Sequence, residues 1–254
     1  MATVRELSAP YENFMFGPEP GPGVCTRCFN LTDGYRYCYA CTHQDAVLDA
    51  IAPISYSVAH EQLHHALASY KRSGGPAARR LAVQLAAVLW RYLDGHEACL
   101  TRAAGVDSFP IVTTVPSGAP HRDQAHPLRW IVGEVVGPTR GRHQRLLRRS
   151  SLDVPSRAFA PERYTAEPSL SGEAVLLIDD TWTTGANAQS AAAALKAAGA
   201  GAVAALVIGR HVNREWHENN RRLRALPPFD WSRCALCPRP AHSSRSLENK
   251  ATPA

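Results

Sequence analysis

The chain has 254 residues, 45% of them hydrophobic and 20% charged, with 17 Gly and 19 Pro. This ordinary globular composition excludes a wholly disordered or collagen-like chain and allows one or two domains around a sizeable core. The formal net charge is +6 and 25 of the 28 basic residues are Arg. That balance fits a polyanionic partner and equally a GC-rich codon pool, so charge alone selects no function.

The longest apolar stretches, such as 203–208, fall short of a membrane span. The opening MATVRELSAPYENFMFGPEPGPG lacks a basic start followed by an apolar core, so the expectation is a cytoplasmic protein without membrane insertion. Residues 1–24, with Pro18, Pro20 and Pro22 among glycines, read as a flexible or extended lead-in.

Residues 25–48 carry CTRCFNLTDGYRYCYAC, in which Cys25/Cys28 and Cys38/Cys41 form two C-x-x-C pairs around an Asp33-Gly34 turn. In a reducing compartment such pairs are metal ligands before they are disulfides. Two knuckles complete a closed four-thiolate site, which leaves no position open for substrate. A structural zinc ribbon is expected here. The third pair, Cys234/Cys237 in WSRCALCP, has no second knuckle. His217 and His242 are available to complete a site, but a free thiol pair in a loose tail is the simpler reading. Cys99, in an apolar context, reads as a small core residue.

Between these segments the elements follow in order. IAPISYSV (51–58) reads as a strand. His60-Glu61-Gln62-Leu63-His64 fits H-E-x-x-H, yet three specified positions among 11 His are a weak signal, and a solvated helix face is the better reading. Pro76 to Leu93 is an amphipathic helix with Leu81, Leu85, Val88, Leu89 and Tyr92 on one face and Gly95 as its stop. Ile111–Val115 is a short strand running into Pro116-Ser117-Gly118, and His126–Val136 is helical. Residues 140–157 hold six Arg against one acid with few apolar anchors, so a mobile basic loop is expected. Ala174–Ile178 and Ala202–Ile208 are apolar runs suited to strands buried on both faces of a parallel sheet. The Ala-rich helix Asn187–Ala198 lies between them and stops at Gly199. This half is therefore α/β. Beyond Asn213 the chain turns Arg- and Pro-rich, and 214–254 reads as a partly disordered tail.

The chemistry concentrates in VLLIDDTWTTGAN, residues 175–187. A buried strand ends in Asp179 and Asp180 at its C-terminal edge, where open α/β sheets bind ligands. Thr183, Thr184, Gly185, Ala186 and Asn187 then supply hydroxyls, an amide and a flexible backbone that runs into a helix N-terminus, which favours an anion. Carboxylates for diol hydroxyls beside a turn for phosphate describe a ribose 5-phosphate. A P-loop ATPase reading fails because none of Lys71, Lys196 and Lys250 sits in G-x-x-x-x-G-K-[ST]. The G-x-G-x-x-A string at Gly199–Ala204 follows a helix and enters a strand, the reverse of a dinucleotide fingerprint.

VLLIDDTWTTGAN resembles the phosphoribosyl-pyrophosphate (PRPP) loop of type I phosphoribosyltransferases. Joined to a four-Cys ribbon, the chain resembles the ComF family of competence-associated proteins over roughly 25–210. The resemblance takes in Tyr70-Lys71, IVTTVPSG and His126-Pro127-Leu128. It implies a phosphoribosyltransferase-like parallel sheet of about five strands over 49–213, flanked by helices, with the ribbon (25–48) beside it. It implies that Asp179 and Asp180 hold the ribose hydroxyls, directly or through magnesium, and act in catalysis, while Thr183–Asn187 cradle the 5-phosphate. Val115, Pro116, Ser117 and Gly118 would stand at the pyrophosphate, and Arg140–Arg149 would form a mobile cover. Asn187 replaces a usual Thr, and Thr181 occupies a normally apolar place. The implied activity is magnesium-dependent transfer of phosphoribose to an acceptor. The alternative is a non-catalytic accessory protein that handles single-stranded DNA with the Arg-rich segment and the ribbon.

Overall fold

A computed structural model describes residues 2–72, 75–117 and 126–238; Gly118 and His242 lie outside them. The chain enters through helix α1 (Val4–Ser8), where Thr3 and Glu6 form a reciprocal capping box, satisfying two orphan amide donors at once. A 3-10 turn over Ala9–Asn13 follows. Tyr11 and Met15 are buried in the main core, and Arg91 holds Glu12 at 2.7 Å. The segment expected as a flexible lead-in is thus docked by two apolar anchors and an ion pair.

After the four-Cys segment and its short helix α2 (Tyr39–Thr42) come strand β1 (Ala50–Val58), helix α3 (Gln62–Arg72) and the 29-residue helix α4 (Pro76–Ala104). Pro76 starts α4 as expected, but the helix runs through Gly95 and ends at Gly105, whose φ of 70° closes the last turn. An interior Gly costs about 1 kcal/mol; burial of His96, Cys99 and Leu100 beyond it outweighs that. Strand β2 (Ile111–Thr114) leads to α5 (Pro127–Trp130), a π turn over Ile131–Val135, and α6 (Gly137–Arg140).

The basic segment is ordered. Strand β3 (Leu147–Arg149) pairs antiparallel with β4 (Tyr164–Ala166). Leu146, Leu147 and Val154 are buried, and they are the anchors that pin it. Arg142 leaves solvent for Glu97, at 2.6 Å and 2.9 Å, and for the Phe109 and Pro138 carbonyls. Strand β5 (Ala174–Trp182), helix α7 (Ala186–Ala197) and strand β6 (Ala202–Val212) then form the expected strand–helix–strand unit. Helix α8 (Asn219–Arg224) lies in the tail. No helix among the described residues is long and apolar enough to cross a membrane.

The central sheet has four parallel strands in the order β1-β6-β5-β2. Alternate side chains go to opposite faces. Ala52, Ile54, Val112, Leu176, Ile178 and Leu206 face a core filled by α3, α4 and the π turn. Ile51, Ile111, Leu177, Ala205 and Val207 face α7 and the four cysteines. Helices therefore cover both faces, which is why β5 and β6 read as continuous apolar runs. Pro53 lies in the edge strand β1, where the missing amide donor is tolerated.

Candidate functional site

The first site is built by the ribbon. Cys25, Cys28, Cys38 and Cys41 are all buried, and their sulfurs lie within 4.8 Å of one another, with Cys28 and Cys38 at 3.5 Å. A tetrahedral zinc with Zn–S of about 2.3 Å sets its sulfurs ~3.8 Å apart, so the four residues fit that ion. Phe29 takes a positive φ of 59° to turn the first knuckle, and Cys38 begins α2. Arg210, 3% exposed, sits against the cluster: its Nη2 lies 3.7 Å from the Cys28 sulfur and its Nε donates to the Cys28 carbonyl at 3.2 Å. No carboxylate pairs with Arg210 among the described residues. Four thiolates around a divalent ion would carry two negative charges and would supply the missing counter-charge.

The same Arg210 reaches the second site. Its Nη1 donates to the Trp182 and Thr183 carbonyls at 3.2 Å and 3.0 Å, fixing the end of β5. Beyond it, Gly185 takes φ 86° and caps α7. A Cβ at this position would lie 2.1 Å from Cζ2 of the buried Trp182, so the turn demands glycine both for its backbone angle and for space. Thr184 Oγ1 accepts from the Ala186 amide at 3.3 Å and donates to the Arg157 carbonyl at 3.3 Å. The remaining first-turn amides of α7 have no intrahelical acceptor.

This turn opens on a cavity of about 380 Å³ lined by Asp179, Thr181, Thr183, Thr184, Gly185, Ala186 and Asn187 together with Arg149, Arg157 and Arg163. The three arginines come from the β3–β4 segment, and none was singled out by the DD-T-x-T-T-G pattern; the basic run over 140–157 takes in Arg149 and Arg157, while Arg163 lies beyond it. Arg163 is buried and holds the segment's own carbonyls, Pro155 at 2.8 Å and Ala158 at 2.7 Å. Asp179 is the one carboxylate in the lining. Burial first, then the neighbouring Asp180, raises its pKa to about 7, against the lowering influence of Lys71.

The two aspartates separate. Asp180 is buried beneath the cavity, where it accepts from the Tyr70 hydroxyl and is ion-paired with Lys71 at 2.6 Å. Burial, then the charge of Asp180, pushes the Tyr70 hydroxyl far above its ordinary pKa, so Tyr70 stays a donor. Asp179 therefore faces the cavity while Asp180 ties the end of α3 to β5. Val115 donates its amide to the Ile178 carbonyl at 3.0 Å, which brings Val115-Pro116-Ser117 to the strand end beside Asp179.

The other singled-out residues resolve as follows. His60 and Glu61 precede α3 rather than sharing it with His64. Glu61 is ion-paired with Arg214, and His64 packs on His211 with ring centres 5.3 Å apart. H-E-x-x-H thus straddles the start of α3. His217 is exposed and pairs with Asp33 at 3.2 Å. Cys234 and Cys237 lie instead beside His96 and Cys99, two residues that spacing along the chain could not join to them. Comparison with models of known protein families and with curated proteins returns no match.

Proposed function

We propose that the 380 Å³ cavity binds PRPP with magnesium and that the chain is a phosphoribosyltransferase-like protein of the ComF type. One observation carries this reading: Asp179, the Thr183–Asn187 turn at the N-terminus of α7, and Arg149 and Arg157 line a single cavity at the C-terminal end of a parallel strand. The amides and hydroxyls of the turn suit a 5-phosphate, the arginines add cationic donors for further phosphate, and the Asp179 carboxylate accepts from ribose hydroxyls. Magnesium is commonly held by one or two carboxylates and the ligand's own phosphates; Asp179 fits that role.

In transfer, the bond from C1 of the ribose to pyrophosphate breaks and the pyrophosphate leaves with the electron pair. The acceptor's lone pair forms the new bond to C1 and the acceptor loses a proton. Positive charge develops on C1 and the ring oxygen, and the anionic Asp179 stabilises it. Bound magnesium would neutralise the departing pyrophosphate. Asp180 acts through the backbone: paired with Lys71 and Tyr70, it keeps the strand end from moving.

The single-stranded DNA reading finds less support. Arg142 and Arg163 are committed to internal contacts; Arg140 and Arg148 are exposed on the surface a strand would meet. Thermal unfolding separates the two. PRPP and magnesium at 100 times the dissociation constant stabilise by about 2.7 kcal/mol, a rise of roughly 5–10 °C for a chain of this size. Arg149→Ala should shrink the rise. No rise with PRPP, alongside strand binding that falls steeply with salt, would replace this reading with the nucleic-acid one.

A further inference from the structure

We infer that His96, Cys99, Cys234 and Cys237 form a second closed zinc site, which fastens the tail to helix α4. The four ligand atoms lie within 4.8 Å of one another. The Cys237 sulfur is 3.5 Å from Cys234, 3.9 Å from Cys99 and 3.7 Å from His96 Nδ1. A tetrahedral ion with Zn–S of about 2.3 Å and Zn–N of about 2.0 Å sets its ligands ~3.5–3.8 Å apart, and these separations match.

The groups around the ligands are arranged for metal as well. His96 Nε2 lies 2.9 Å from the Trp231 carbonyl. A carbonyl only accepts, so Nε2 carries the proton and Nδ1 is left with its lone pair towards the sulfurs, the second-sphere arrangement usual for a metal-bound imidazole. The Cys234 amide donates to the Cys237 sulfur at 3.2 Å and the Leu236 amide to the Cys234 sulfur at 3.4 Å. The buried Tyr92 lies against Cys234, and its ring packs on His96 with centres 5.0 Å apart.

His96 and Cys99 are three apart on α4, so they share one face. Cys234 and Cys237 close a turn through the Cys237 amide and the Cys234 carbonyl at 3.1 Å. Around the site, the Trp231 indole donates to Glu12 at 2.6 Å and Arg91 lies 4.4 Å over its ring. The ion would sit where the N-terminal turn, α4 and the tail meet, a structural role with no open position for substrate.

The full chain, purified without chelator, should carry two zinc ions by elemental analysis. Cys234→Ser/Cys237→Ser should carry one, and so should Cys25→Ser/Cys28→Ser, which separates this site from the ribbon. The tail variant should be cut by trypsin after Arg233 or Arg224 at least tenfold faster than the wild type. One zinc in the wild type, lost in Cys25→Ser/Cys28→Ser, would overturn the inference whether or not the tail variant folds. So would unreduced wild-type protein in which a peptide holding Cys234 and Cys237 is 2 Da lighter than its reduced form (about one mass unit per hydrogen lost on forming a disulfide).

Discussion

Asp179 carries the sharpest consequence at the scale of single residues. Its pKa, raised to about 7, means the folded chain holds this proton more tightly than the unfolded chain, whose Asp titrates near 3.9. Between those values stability falls as pH rises, and above about 7 the folded state bears a desolvated charge. Asp179→Asn removes that charge. It should therefore raise the melting temperature more at pH 8 than at pH 5, by about 5 °C of difference, while weakening ligand binding. Equal shifts at both pH values, measured by calorimetric unfolding, would show that Asp179 is not held as a raised acid. The pairing of Asp180 with Lys71 and Tyr70 was not legible in the adjacent DD; Tyr70 and Lys71 lie more than 100 positions away, and only the packing of α3 on β1 and β6 brings them to the end of β5.

Among elements, the unit β5–α7–β6 was readable because its signals agree: apolar runs, an Ala-rich helix and a Gly stop all describe the same structure. Helix α4 was readable in type but not in length, since Gly95 is a stop signal that burial beyond it overrides. Gly95 has a helical setting, and a Cβ there would meet only the Trp231 carbonyl oxygen at an ordinary 3.9 Å. Gly95→Ala should consequently stabilise the chain by about 0.5–1 kcal/mol in denaturant titrations; destabilisation would mean that α4 needs glycine for its contact with the tail. The short α1 carries a legible start in Thr3-x-x-Glu6, whereas its docking depends on Tyr11 and Met15 finding α4. The β3–β4 pair was hidden because the only buried apolar anchors in its basic run are Leu146, Leu147 and Val154.

For the whole molecule, the α/β class, the parallel sheet and the four-Cys cluster followed from local patterns. The meeting of His96, Cys99, Cys234 and Cys237 depended on tertiary folding. The ribbon and the cavity are joined through Arg210, which touches Cys28 on one side and Trp182 and Thr183 on the other. If the ribbon holds zinc, removing it through Cys25→Ser/Cys28→Ser, which leaves the α4–tail cluster intact, should leave Arg210 without its counter-charge, lower the melting temperature by roughly 10 °C or more, given the several kcal/mol tied to a structural zinc, and weaken binding in the cavity together with it. A variant that melts and binds unchanged would show that the ribbon neither holds a structural ion nor supports the cavity through Arg210.

The most direct measurement is a calorimetric titration of PRPP with magnesium into the wild type and Asp179→Asn at pH 8. The expected result is one saturable site per chain in the wild type and affinity at least 100-fold weaker (about 2.7 kcal/mol) in the variant. Absence of binding in the wild type, or equal affinity in both proteins, would contradict the assignment of the Asp179–Gly185 cavity as a phosphoribosyl site.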